Sequence, residues 1–402
     1  MIDTSFFEDS VRNYSGSGQL NVDDTWTPCN FVAGQLKNGD IYLECLIDNH
    51  RPFPKFNENI VFEGKTSEGK DISISGHGIA RNTHHSIGQG TNSTRILFDF
   101  SGNSHLKIGQ FTSSQLKELR LAITNFEFIG TDFEEIEPNS VRRNTLNVTL
   151  DSIPITFRQV DNYETIIKQL RTGRGVDITC ELILPITEGR ELENLLELAN
   201  ILADLLTIAK SRKINWIYYD LYGKDSNIIF TEHNPRITSK FAGFEMIDKM
   251  PPQNIVDFLN TCFTEYKKQN SIYHFSNIAN SFTDIHSNGF LETRCLALFS
   301  LIDYIVHKSS TAKELRQRLK ETFTHFKAPI SDNEISAYIK TRNNLVHEMQ
   351  FVTNNPFSEY QQVVHLLDKL LLRILGYDGY YINIENLPHE SGDQSDKLIP
   401  TP

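Results

Sequence analysis

Apolar and polar residues alternate at a period of two through "FVAGQLKNGDIYLECLI", "KDISISGHGIA", "TRILFDFSG" and "TLNVTLDSIPITFRQV", and clusters of Gly, Asn, Asp and Ser separate these runs. Alternation puts every second side chain on one face of an extended chain, so residues 30–160 are predicted as a mostly antiparallel β domain. From residue 161 the period changes: "DNYETIIKQL" reads as helix, "VDITCELILP" as strand, "ELENLLELANILADLLTIAKSRK" as a long helix, and "INWIYYDLYG" with "NIIFTEH" as a closing hairpin. These elements continue the first domain as α+β structure. "NPRITSKFAGFEMIDKMPPQN", with Pro235, Gly243, Pro251 and Pro252, reads as a linker.

Beyond the linker the strand pattern stops. Helical periodicity predicts helices near 253–268, 271–283, 288–308, 311–326, 331–350 and 358–376, joined by short loops, which is a bundle. The helix near 288–308 carries one seam of Leu291, Cys295, Leu298, Ile302 and Ile305 and a second of Leu296, Phe299 and Val306. Apolar around much of its circumference, it is expected at the bundle centre or partly in a subunit interface. The fold class is therefore α+β: a β-rich domain over 1–245, an all-α bundle over 246–385 and a disordered tail over 386–402, which has no periodicity.

Composition, at 402 residues with 39% hydrophobic and 22% charged, is that of a globular chain. The five cysteines form no CxxC pair, which suggests neither a disulfide framework nor a zinc ribbon and points to a reducing, cytoplasmic setting. Charge interrupts the most apolar helices, as in "VVHLLDKLLLRILG", so neither secretion nor a membrane partner is expected. The net charge of -12 is uneven: residues 251–385 carry 13 Lys and Arg against 14 Asp and Glu, and most of the acidity lies in residues 1–250. A near-neutral bundle can still present a basic face, so net charge does not exclude nucleic acid.

The helix containing "TRNNLVHEMQ" raises the functional question. Ser331 with Glu334 is a capping-box pattern that sets its start. At about 100° per residue, Ile335, Tyr338, Ile339, Leu345, Val346 and Met349 form the expected buried stripe, and Arg342 falls at its centre. Asn343 and His347, four apart, share a flank. A buried guanidinium costs several kcal/mol unless it is paired. Asp303, inside the apolar "LALFSLIDYIV", is a candidate partner, and a purely structural ion pair would account for both residues.

Arg342-Asn343-Asn344-Leu345-Val346-His347 resembles the Arg-(polar)-x(3 to 5)-His signature of the HEPN domain, a helical bundle found in many prokaryotic ribonucleases. Asp303 matches, as an acidic substitute, the glutamate that many such domains carry on the preceding long helix. "LLRILGYDGYY" is similar to the end of the Apea-like HEPN group, and "FVAGQLKNGDIYLECLI" with "FEGKTSEGKDISISGHGIA" is similar to the β domain that precedes HEPN in ApeA-type antiphage proteins. The resemblance spans most of the chain. It implies a metal-independent endoribonuclease acting by 2′-hydroxyl attack in abortive-infection defence, with Arg342, Asn343, His347 and Asp303 as the catalytic set. It also implies RNA as substrate, a homodimer that supplies two histidines to one cleft, and a sensor role for the β domain toward a phage-derived trigger.

Residue chemistry suits that expectation: histidine exchanges protons near neutral pH, and a guanidinium can hold a phosphate and its growing charge. "TAKELRQRLKETFTHFK" puts Lys313, Arg316 and Lys320 on one helix face, and with Lys340 these are the candidate RNA-binding residues, although such spacing is more often a solvated face. The competing reading is a non-catalytic HEPN module for nucleotide or RNA binding or for dimerisation, beside a ligand-binding β domain. No metal and no cofactor is called for. "GKT" at 64–66 lacks the P-loop glycine, since Asn59 stands there, and His77, His84 and His85 have no metal-ligand spacing.

Overall fold

The computed structural model describes residues 9–384 apart from 23–24, 49–57, 89–90, 101, 103, 138–139, 236–237, 239, 242–243 and 288–289. The tail expected to be disordered, 386–402, lies outside the described residues.

An antiparallel β region is followed by a helical region, the α+β order expected from the sequence. The first six strands are β1 (Ser10–Val22), β2 (Thr25–Leu36), β3 (Ile41–Asp48), β4 (Glu58–Thr66), β5 (Asp71–Gly88) and β6 (Thr91–Phe100). They run in the order β4-β1-β2-β3-β6-β5, and β4 also pairs with β5, so the six close into an antiparallel barrel. Closure of so small a barrel brings backbones close together. In the β1–β4 register Gly18 faces Gly64, and a Cβ on Gly18 would stand 2.5 Å from the Glu63 carbonyl oxygen and 2.9 Å from the Gly64 Cα. Alternate residues such as Leu20, Phe31, Leu43, Phe62, Ile74 and Ile96 fill the interior as a separate core.

The sheet continues through β7 (His105–Gly109), β14 (Ile228–His233), β13 (Asn215–Gly223), β8 (Leu116–Thr124), β12 (Ile178–Pro185), β11 (Ile153–Gln159), β10 (Ser140–Leu150) and β9 (Asp132–Glu137). Between strands come α1 (Tyr163–Gly173) and α2 (Leu192–Lys210), and the bundle follows as α3 (Gln253–Tyr273), α4 (Phe275–Ser287), α5 (Leu291–Ser309), α6 (Leu315–His325), α7 (Asp332–Glu348) and α8 (Pro356–Ile374). No helix among the described residues is long and apolar enough to cross a membrane. A polar seam joins the barrel to the later strands: Arg12 donates to both Asp220 oxygens at 2.7 Å, and His233 lies between the Tyr14 hydroxyl (3.0 Å) and Gln35 Oε1 (2.9 Å).

The larger apolar core runs without a break from Leu116 to Ile384, so strands β8 and β10–β14, helix α2 and the bundle share one interior across residue 245. The end of the stretch read as a linker is packed into it. Met246 and Ile247 are buried, and their amides donate to the Ala209 carbonyl at 3.0 and 2.8 Å. Glu245 pairs with fully buried Lys210 at 3.0 Å and with Arg212 at 2.7 Å. The basic run "AKSRK" is therefore an interior ion-pair group and not a surface for polyanions.

Candidate functional site

Helix α7 starts as its sequence requires. The Ser331 side chain accepts from the Glu334 amide at 3.1 Å while the Glu334 carboxylate accepts from the Ser331 amide at 2.7 Å. Ile335, Tyr338, Thr341 and Leu345 are the residues α7 buries. The expected stripe stops at Leu345: Val346 is 43% and Met349 62% exposed, because the helix ends at Glu348 and Met349 turns into the left-handed region at φ 55°. Arg342 is likewise half-buried and not at the centre of a core.

Arg342 and Asp303 do meet across α5 and α7. Arg342 Nη2 and Nε donate to Asp303 Oδ2 at 2.8 and 3.1 Å, with the two side chains 27% and 30% exposed. Nη1 has no protein partner among the described residues. The pair has a support that sequence reasoning missed. Tyr338, buried against Phe299 with ring centres 5.5 Å apart, donates its hydroxyl to Asp303 Oδ1 at 3.4 Å. Burial first, and the Asp303 charge second, push the Tyr338 hydroxyl well above its ordinary range, so it stays a donor.

A second missed residue is Glu359, in the first turn of α8 and only 5% exposed. Its Oε2 accepts from the Thr341 hydroxyl at 2.9 Å and from the Val352 amide at 3.1 Å, and Oε1 accepts from the Thr353 amide. Burial alone would raise this carboxyl, yet the hydrogen bonds from Thr353, Val352 and Thr341 outweigh it and hold Glu359 below the usual carboxylate range. The segment carrying Arg342, Asn343 and His347 is thus clamped at residue 341 and again just beyond its end. In sequence, Glu359 looks like an ordinary acidic first-turn residue, and nothing local marks its burial.

Asn343 and His347 are exposed, as their flank position required. Ser336, Lys340, Asn343 and His347 follow one another along one side of α7 within about 60°. Helix α6 lies against that side: Lys320 pairs with Asp332 at 2.6 Å and Arg316 donates to the Ser336 hydroxyl at 2.8 Å. This antiparallel register, carried one turn further, leads Lys313 toward Lys340. Lys313 precedes α6, whose N-cap is Glu314, so it is on a loop and not on the expected helix face. Of the four candidate RNA-binding residues, Lys313 and Lys340 are exposed with no described partner, whereas Arg316 and Lys320 spend contacts on α7. Arg342 leaves α7 about 140° around from His347, on the side of α5.

Most of the apolar circumference of α5 is covered within the chain: Cys295, Leu298, Phe299, Leu301, Ile302, Ile305 and Val306 are buried, and Leu291 and Leu296 are half-buried against the same core. The exposed apolar residues next to the candidate site are Val346 and Met349, which flank His347 in sequence. His77 is exposed on β5, and the His84 and His85 side chains lie outside the described residues. Comparison with family models, curated proteins and solved structures finds no match to this chain.

Proposed function

We propose that the chain is an ApeA-like HEPN endoribonuclease that cleaves RNA without a metal, acting in antiphage abortive infection, with the β-rich part restraining or directing the bundle. The observation that carries this reading is the state of the motif on α7. Arg342 is oriented by Asp303 but keeps Nη1 unengaged, and His347 and Asn343 stand exposed on a rigid helix beside Lys340. A purely structural Arg342–Asp303 pair accounts for those two residues and leaves an exposed His347, with its basic neighbour, without a purpose.

In the proposed reaction His347 takes the proton of a ribose 2′-hydroxyl, whose oxygen attacks the adjacent phosphorus. The O2′–P bond forms, the P–O5′ bond breaks, and the departing 5′-oxygen takes a proton, leaving a 2′,3′-cyclic phosphate. Arg342 neutralises charge on the non-bridging oxygens. One chain offers one such histidine, and a second copy docking over Val346 and Met349 would supply the other while covering two exposed apolar side chains. The test is RNA cleavage by His347→Ala. Activity is expected to vanish with the melting temperature unchanged, and an excess of this variant mixed into wild type is expected to depress activity beyond dilution. Cleavage at the wild-type rate by His347→Ala removes the residue from the reaction.

A further inference from the structure

A cavity of about 270 Å³ opens between α7 and α8. Tyr338, Ala337, Val363 and Leu366 give it an apolar wall. Its charged lining is acidic only, from Glu334 and Glu359, and no lysine or arginine is among the lining residues. His365, 7% exposed, also lines it, and its buried Nδ1 has no hydrogen-bond partner among the described residues. The imidazole stacks on Tyr381 at 5.9 Å, which fixes its plane. Buried polar groups are almost always paired, so a fixed ring nitrogen without a partner beside an open cavity is a place where an occupant supplies the missing bond.

From these features we infer that the α7–α8 cavity binds a small organic cation, an ammonium or amidinium on a flat apolar body. The apolar wall takes the body, and the two carboxylates favour the positive head. Neutral His365 accepts one of the occupant's N–H groups. Glu359 already accepts three donors, and Glu334 shares its charge with Lys369 at 2.7 Å, so one positive charge is what the lining accommodates. An anion would meet the Glu359 carboxylate, and the nearby cation, Lys369, is already paired with Glu334, which disfavours phosphate esters and free nucleotides as occupants. Such binding is independent of ribonuclease chemistry, and Tyr338 is where the two meet. Its ring is cavity wall and its hydroxyl holds Asp303, so an occupant that moves the ring acts on the Arg342–Asp303 pair.

Calorimetric titration of the full chain with benzamidine, and with benzoate as the same shape of opposite charge, tests the site. Benzamidine is expected to bind with a dissociation constant below about 1 mM and benzoate at least about tenfold more weakly, the factor that one favourable charge contact gives in a partly open site. Glu334→Gln keeps the capping-box side chain and removes the charge. It should weaken benzamidine about fivefold or more while a cooperative melt is retained, at a lower midpoint because nearly buried Lys369 loses its carboxylate partner. Ala337→Trp, at an exposed position of the lining, should abolish binding without touching the core. No heat from benzamidine at about 10 mM, equal binding of benzoate, or undiminished affinity in Ala337→Trp would each overturn the inference.

Discussion

Replacing Glu359 by alanine removes one buried carboxylate and strands three donors at once. The Thr341 hydroxyl, in a residue only 5% exposed, costs about 1–3 kcal/mol when unpaired. The Val352 and Thr353 amides lie nearer the surface, and each loses about 0.5–1.5 kcal/mol of net hydrogen bonding. The expected sum is roughly 2–6 kcal/mol, a large part of the roughly 5–15 kcal/mol that holds a domain folded. Glu359→Gln keeps one accepting oxygen and turns an NH₂ group toward the remaining donors, so about half of that loss is expected. Urea denaturation measures the stability, and amide hydrogen exchange over residues 349–355 measures the clamp directly. The carboxylate's share has a pH signature as well. Its folded pKa is depressed, so its contribution is complete above the unfolded carboxylate range and is lost as the pH falls through the folded value. A stability loss below about 1 kcal/mol with unchanged exchange at 349–355 would refute the clamp.

Burial first, and the Lys369 charge second, push the His365 imidazole down to about 4, whereas the unfolded chain takes its proton near 6.5. Stability is therefore lost as pH drops below 6.5, and His365→Phe is expected to cut the loss between pH 7 and 4.5 by about 2.5 kcal/mol; an unchanged pH profile contradicts this. Because the larger core spans Leu116 to Ile384, a chain beginning at residue 246 is expected to lack a cooperative thermal transition, whereas one beginning at residue 110 retains it. A cooperative melt from residues 246–402 alone would show that the bundle does not need the sheet. Arg12→Ala leaves buried Asp220 with Thr231 but without its cation, and about 3 kcal/mol of destabilisation is expected by chemical denaturation; a change within about 0.5 kcal/mol would mean the seam contributes no stability.

The bundle helices were legible because their information is local. The Ser331–Glu334 box set the start of α7, Asn355 and Pro356 open α8, and the observed helices fall on the expected periodic segments. Boundaries moved by a few residues: the first bundle helix continues to Tyr273 and breaks where His274 adopts φ 49°, the second therefore runs Phe275–Ser287, and α6 starts at Leu315. The barrel was not legible as a barrel, since β4–β5 pairing and the β3–β6 neighbourhood depend on strand order, which alternation does not encode. Partner-dependent burial was also hidden. Lys210, Arg212 and Lys213 form a basic run in sequence, and nothing local shows that Glu245 and Asp204 stand opposite them. At the candidate site the Arg342–Asp303 pairing followed from two charges at apolar positions, whereas Tyr338 and Glu359 act through tertiary contacts that no spacing announces.

The most direct measurement of the central proposal is the chemistry of the RNA ends that purified full-length protein produces in EDTA. Fragments carrying 2′,3′-cyclic phosphate and 5′-hydroxyl ends, absent when His347→Ala of equal melting temperature replaces wild type, are the expected result. Intact RNA, or cleavage that appears only when magnesium or manganese is restored, would contradict it.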